Sequence, residues 1–330
     1  MIRRTFLSFI IVVALFSGAQ MALAQIPGVS DVTVVVSPLN PGPLQDVTIT
    51  VKSYAFNIQA ADVEWSVDGK AAGGGVGSDS YTIMTKDVGT PTNVTVTVTA
   101  IGNAPAIKNI TITPMSVDLL WQATDSIVPP LYRGKAMPTS ESAVKFVAIP
   151  QVKSQGGVLL GSQNFLYGWS ENYTGKQNDS GYGKDSYTTT MDYLNPTKHI
   201  DVDAGTRDGA IDTSAHIDLT PILPKLAWYA SSPLYGPEFD HMLSGTYVVA
   251  GSDTSIIAEP YFFSPANPAD PTLAYVWTLN GQPLTTPPIP NSLFLHRGTS
   301  ATGIAELDLS VTNLARLFQE STGRLTLSLQ

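Results

Sequence analysis

The chain has 330 residues, 18 basic and 27 acidic, a formal net charge of −9, and no cysteine. Affinity for nucleic acid rests on Lys and Arg neutralising phosphates, so this acidic balance argues against a nucleic-acid partner. The lack of thiols excludes disulfide staples and a lipidated cysteine, so each folded module must hold itself by packing alone.

The first element is an export signal. Met1-Ile2-Arg3-Arg4 supplies a positive start, Phe6 to Phe16 an apolar run, and Ala22-Leu23-Ala24 a small-residue cleavage site. Residues 1–24 therefore read as a signal peptide, with Gln25 opening the mature chain. The apolar run is short for a bilayer span, which needs about 20 residues. Cleavage removes Arg3 and Arg4 and takes the formal charge from −9 to −11. No later segment reads as a transmembrane helix, and the chain ends on the alternating run LTLSL without an anchor. The address is extracytoplasmic: secreted, cell-surface or periplasmic.

The mature chain reads as all-β. Charged residues make up only 14% of the sequence, with 24 Pro and 27 Gly, the composition of many short strands joined by turns. Residues 25–114 form a first module, with strands over DVTVVV (31–36), DVTITVKS (46–53), the tryptophan strand near 63–67, TNVTVTVTA (92–100) and IKNITIT (107–113). Val94, Val96 and Val98 alternate with Thr95, Thr97 and Thr99, the pattern of a half-buried strand. Residues 115–220 form a second module and 221–330 a third. The junctions repeat, KNITITPMSVDLLW (108–121) answering AHIDLTPILPKLAW (215–228), so Trp121 and Trp228 occupy matching places. The best helical candidate, 313–319, falls where the repeat scheme puts the turn between the last two strands.

A tryptophan signature ties the modules together. It reads Trp65-Ser-Val-Asp-Gly-Lys, then Trp277-Thr-Leu-Asn-Gly-Gln, with a looser copy from Trp169 whose glycine, Gly175, comes two residues late. The late glycine leaves the strand register of the second module open. Spacings of 104 and 108 residues match one immunoglobulin-type sandwich and are far too long for a solenoid repeat. Trp65, Trp169 and Trp277, with Trp121 and Trp228, are expected to pack cores or junctions.

These motifs resemble the PKD and bacterial Ig-like sandwiches of exported surface proteins. The W-x-L-N-G run preceded by AEPYFF is similar to a group of exported multi-Ig proteins of small-genome bacteria. PKD modules proper carry a W-x-F-G-D-G turn; the Phe and second Gly are missing here, so the wider Ig-like label applies. The resemblance covers nearly all of the mature chain and implies about three tandem Ig-like sandwiches and a surface location. Its motifs are structural and imply no activity.

Catalytic signatures are absent from the sequence: there is no H-E-x-x-H, no G-x-S-x-G elbow and no phosphate loop. His199 and His216 read as a solvated surface pair. Asp201, Asp203, Asp208 and Asp212 could present hard oxygens to calcium, but the loop lacks a fifth-position oxygen and a bidentate Glu. No cofactor is expected, with calcium the single candidate. A tyrosine-rich stretch, Tyr167, Tyr173, Tyr182, Tyr187 and Tyr193, surrounds a polar loop, and exposed Tyr173 and Tyr182 could stack on sugars or a partner protein. The expected function is a non-enzymatic structural or adhesive role among cell-envelope, pilus or surface proteins. The alternative is extracellular glycan binding through the tyrosines of the second module.

Overall fold

The computed structural model describes residues 32–330 apart from 155, 156, 195, 208, 210, 250 and 299–301. The export signal (1–24) and Gln25 lie outside the described residues. Within them the chain is all-β, with two short 3-10 turns, Ile58–Ala60 and Ser162–Asn164. No helix there is long and apolar enough to cross a membrane. Residues 314–319 form the turn of the last hairpin.

The first sandwich contains β1 (Val32–Ser37), β2 (Asp46–Ser53), β3 (Asp62–Val67), β4 (Lys70–Val76), β5 (Ser80–Met84), β6 (Thr92–Thr99) and β7 (Ala106–Ile112). One sheet runs β1-β2-β5, the other β4-β3-β6-β7. Alternation sets which face is buried. Val94, Val96 and Val98 of β6 are fully inside, while Thr95, Thr97 and Thr99 reach towards solvent.

The second sandwich contains β8 (Ser116–Ala123), β9 (Ala143–Gln151), β10 (Leu166–Glu171), β11 (Thr174–Gly175), β12 (Gly181–Tyr182), β13 (Ser186–Thr190), β14 (Lys198–Gly205) and β15 (Asp212–Leu219). Its sheets are β8-β9-β13 and β11-β10-β14-β15, with β12 also on β10. The third contains β16 (Lys225–Ser232), β17 (Gly236–Leu243), β18 (Thr246–Val249), β19 (Asp253–Tyr261), β20 (Leu273–Leu279), β21 (Gln282–Pro283), β22 (Ser292–His296), β23 (Gly303–Asn313) and β24 (Glu320–Leu329). Its sheets are β17-β16-β19-β22 and β18-β24-β23-β20-β21, with β18 parallel to β24. With β17 and β18 set aside and β11 and β12 counted as one split edge strand, all three sandwiches share one plan. The first, second and fifth strands form one sheet, and the third, fourth, sixth and seventh form the other, the two-sheet architecture of Ig-like domains.

The signature tryptophans sit at equivalent points of β3, β10 and β20, and Trp65, Trp169 and Trp277 are 2%, 1% and 1% exposed. Each indole Nε1 donates to a main-chain carbonyl ahead of the fifth strand: Ser78, Lys184 and Pro290, at 2.9 Å in every case. A buried Trp needs such a partner. Beyond each Trp comes a turn whose two central residues have positive φ: Asp68-Gly69, Asn172-Tyr173 and Asn280-Gly281. Positive φ at both positions marks the type I′ hairpin. In each turn the Asp or Asn Oδ1 accepts the main-chain N–H of the sixth strand, from Asn93, His199 and Glu306, at 2.8–3.0 Å. The same residue donates its own N–H back to that partner's carbonyl at 2.8 Å.

This geometry corrects the expected spacing of the second signature. Its turn falls at the same distance from Trp as in the other two, with Tyr173 where they carry glycine, and the register of β10 on β14 is regular. The extra length lies after the turn. Indole donor and carbonyl acceptor are 13 residues apart in the first and third sandwiches and 15 in the second. The side-chain clamp at Asn172 fixes the register, and the later Gly175 has no part in it.

The chain divides into two compact units. Among the described residues, one holds 32–37 with 48–83 and 93–111; the other holds 38–47, 84–92 and those from 112 onward. The second and third sandwiches therefore belong together, each with its own core. The segment between β8 and β9 crosses from one to the other. Ile127 is buried in the third core, its N–H donates to Phe263 O, and its carbonyl accepts from Phe262 N–H, each at 2.8 Å. Beside it, Thr139 Oγ1 donates to Phe262 O at 3.0 Å and Ser142 Oγ meets Ser264 Oγ at 3.2 Å. Gln319 closes the joint: its Oε1 accepts from Ser264 N–H and Asn313 Nδ2, and its Nε2 donates to Ser140 O.

Trp228 is buried and meets Trp277 edge to face at 5.7 Å, whereas Trp121 is only partly buried, with the Lys135 ammonium 3.9 Å above its ring.

Two outcomes are expected. Gln319→Ala leaves buried donors and acceptors of both sandwiches unpaired and should destabilise the second unit by about 2–4 kcal/mol in denaturant unfolding. A loss under about 0.5 kcal/mol, the size of an ordinary surface change, would show that the joint carries no stability. Glu259 of β19 is 5% exposed, and burial pushes its carboxyl from the ordinary 4.5 to about 7. The folded state then holds its proton longer than the unfolded one. The associated stability is full below about pH 4.5 and is lost as pH rises through about 7. Glu259→Gln should flatten that decline and exceed the wild type at about pH 8 by on the order of 3 kcal/mol. Parallel pH profiles of melting for the two chains would refute this.

Candidate functional site

The predicted residues gather on the outward face of the β10-β14-β15 sheet of the second sandwich. Ile200, Val202 and Ala204 of β14 point into the core, so His199, Asp201 and Asp203 point out. On β15 the opposing residues are Asp218, His216 and Ser214. His199 is clamped: Nδ1 lies 2.5 Å from Asp218 and Nε2 lies 2.9 Å from Asp201. The Asp218 hydrogen bond, aided by the Asp201 charge, outweighs desolvation and raises the His199 pKa. Tyr173 stacks on the imidazole at 4.6 Å, and the His216 ring lies 5.7 Å away.

Of the four aspartates read as calcium ligands, Asp208 lies outside the described residues. Asp201 is engaged by His199 and by Ser170 Oγ at 3.0 Å. Asp203 faces Ser214 across the sheet, and Asp212 faces Gly205. Among the described residues no group of three or more His, Asp or Glu side chains is arranged to hold a metal ion. The Asp203 pKa is raised, first by loss of hydration and then by the charges of Asp212 and Asp201.

The tyrosines separate into two sets. Tyr167 and Tyr187 are buried in the core. Tyr173 is 83% exposed and Tyr182 52% exposed, with Tyr182 paired to Leu166 at the sheet edge. Tyr193, also exposed, lies 6.4 Å from Phe318 of the third sandwich.

Sequence reasoning does not single out Gly168. A groove of about 580 Å³ opens over this residue, walled by Leu166, Gln177, Ser180, Asp203 and Asp212. Each position before a signature tryptophan points outward, and the other two are Glu64 and Val276, both exposed. Alignment of the three signatures on tryptophan would have shown the missing side chain. A smaller cavity of about 370 Å³ in the third sandwich is bordered by Ser231, Glu238, Tyr247, Asp253 and Phe294.

A buried ion cluster closes one end of the second core. Lys198 Nζ lies 2.7 Å from Glu171 and 2.9 Å from Asp192, and Tyr187 O–H donates to Glu171. Burial alone would raise the Glu171 pKa, but hydrogen bonds from Lys198, Tyr187 and Thr189 bring it down to about 2. Burial likewise works against the Lys198 charge, and its two carboxylate partners outweigh it and raise its pKa. Both groups keep their charges, the state of a structural pair rather than of a base or nucleophile.

No protein-family model matches the chain, and no curated protein matches it. Among solved structures it is similar to the central fibronectin-III array of RIM-binding protein, at 12% identity over 89% of this chain and 95% of that one, with a TM-score of 0.32. It is also similar to three N-terminal domains of the bacteriophage RB49 highly immunogenic outer capsid protein, at 13% identity, 91% and 99% coverage and a TM-score of 0.26. The fibronectin(III)-like modules of Clostridium thermocellum CbhA align at 13% identity over 57% of this chain and 94% of theirs, with a TM-score of 0.28. At these scores the likenesses carry no argument, and the tandem sandwiches rest on the chain's own sheets.

Tyr173 occupies a left-handed position, which costs a non-glycine residue about 1–2 kcal/mol. Tyr173→Gly should therefore melt no lower than the wild type, strain relief offsetting the lost His199 stack. Gly69→Tyr and Gly281→Tyr should each lose about 1–2 kcal/mol. A loss above about 2 kcal/mol for Tyr173→Gly, beyond what an aromatic pair contributes, would make this tyrosine a structural residue.

Proposed function

We propose that the chain is a non-catalytic exported protein with a structural and adhesive role at the cell surface or in the secreted space. One observation carries the reading: a single sandwich plan is used three times, and the second and third copies are joined through Ile127 and Gln319. A chain of repeated sandwiches with a packed joint suits a spacer or a surface for partners. Its partners would be other cell-envelope, pilus or surface proteins. The acidic composition keeps it off nucleic acid.

A second reading is extracellular glycan binding through the second sandwich. Tyr173 favours it. It is an exposed aromatic in a strained turn, at a position where both sister turns carry glycine.

Exported protein should begin at Gln25 on N-terminal sequencing and intact mass. Removing the chain from the producing cell should lower attachment to surfaces or neighbouring cells several-fold and leave secreted hydrolytic activity unchanged. A product retaining Phe6–Phe16 would overturn the cleaved-signal reading, and unaltered attachment would overturn the adhesive one.

A further inference from the structure

We propose that the groove over Gly168 on the second sandwich binds a neutral oligosaccharide, with Asp203 and Asp212 accepting sugar hydroxyls and Tyr182 at the rim. This rests on the glycan reading above and moves its centre from the tyrosine tips to the groove between β10, β12 and β14.

The chain supplies its own comparison. Three sandwiches share one plan, so a feature of one alone is not required by the fold. At the outward position before the tryptophan, Glu64 and Val276 cover their strands, and Gly168 leaves its strand bare. Gly168 has no left-handed φ that would call for glycine, and a Cβ there would stand 3.9 Å from Asp203, an ordinary contact. What glycine provides at this point is open space. Its cross-strand partner differs too: Thr97 faces Glu64, Ser310 faces Val276, and Asp203 faces Gly168. The two additional residues of the second sandwich fall in the segment that borders the groove. There they split the edge strand into β11 and β12 around residues 176–180. Ser180 holds this loop in place, accepting from Trp169 N–H at 2.9 Å and donating to Lys176 O at 2.8 Å. The bare strand at Gly168, the carboxylate opposite it and the split edge strand thus meet at one place.

The lining selects the ligand class. Carboxylates accept pairs of hydroxyl donors in charge-assisted hydrogen bonds. Tyr182, opposite the groove residue Leu166 on the same sheet face, offers a ring to the apolar side of a pyranose. Gln177 adds an amide donor and acceptor. Asp203 and Asp212 line the groove and would repel uronic, sialylated or phosphorylated glycans. The occupant is therefore a neutral chain, one or two sugars of which sit over Gly168.

Titration calorimetry of the exported chain against neutral hexamers of glucose, mannose, xylose and N-acetylglucosamine, with hexaguluronate as the acidic control, tests this. At least one neutral hexamer should bind with micromolar to millimolar Kd, and hexaguluronate should not. Gly168→Leu fills the groove and should weaken binding at least tenfold with the melting temperature kept. Asp203→Leu, on an exposed side chain, should weaken it at least fivefold and serves if Gly168→Leu melts early. Glu64→Leu, the matching site of the first sandwich, should bind like the wild type. Groove variants that bind a neutral hexamer as the wild type does would overturn the groove and leave the glycan reading standing. Wild type that binds none of the neutral hexamers would overturn both. Hexaguluronate bound as tightly as a neutral hexamer would overturn the charge argument and with it the proposed ligand class.

Discussion

The indole-to-carbonyl hydrogen bond of each signature tryptophan is the interaction on which the sandwiches depend. It runs from the third strand, on one sheet, to the residue leading into the fifth, on the other. One buried side chain thus fills the space between the sheets and fixes where the crossing segment lands. Without disulfides, this is how each module sets the relation of its two sheets. The Asp or Asn clamp three residues later fixes the sixth strand against the third, and the two devices together determine register. The Trp-x-x-Asp/Asn spacing thus marks the centre of each of the three modules.

A similar economy governs the joint between the second and third sandwiches. Tandem modules usually meet through small polar contacts that leave them free to move. Here a chain segment of one sandwich adds an apolar residue, Ile127, to the core of the next, and a set of fully buried hydroxyls and amides is satisfied across the boundary. Buried polar groups of this kind are costly when unpaired and specific when paired. They tolerate one relative placement of the two sandwiches and penalise others. The surface that the second sandwich presents is thereby held on a fixed support, which is what a binding face or a spacer needs.

The fold is largely legible in the sequence because its two periodicities are. Alternating runs such as TNVTVTVTA become strands with the valines inside, and the tryptophan spacing marks the repeat. The second signature is misplaced by any pattern that follows glycine, the residue that usually supplies positive φ. The structure shows Tyr173 in that role, held by a side-chain clamp that a linear pattern does not reveal. The joint is hidden for a different reason. Thr139, Ser142 and Gln319 look like ordinary loop residues until residues more than a hundred positions away are brought against them. The groove escapes notice because its principal residue is a glycine, whose missing side chain stands out only when the three signatures are aligned on tryptophan.

Repetition turns that weakness into a means of argument. In an isolated domain, Gly168, Tyr173 and the extra residues before Lys184 would each pass as local variation. Set beside two sister sandwiches they are departures from a plan the same chain obeys elsewhere, at positions where the plan costs nothing to follow. Glu64 and Val276 show that a side chain is accepted before the tryptophan; Gly69 and Gly281 show that the turn prefers glycine. The second sandwich gives up both preferences on the same sheet face, one beneath the groove and the other at an exposed ring. The sandwich plan calls for neither choice, since glycine loosens a strand and tyrosine strains a turn whose strain the His199 stack offsets. The glycan proposal accounts for both with one contact outside the chain.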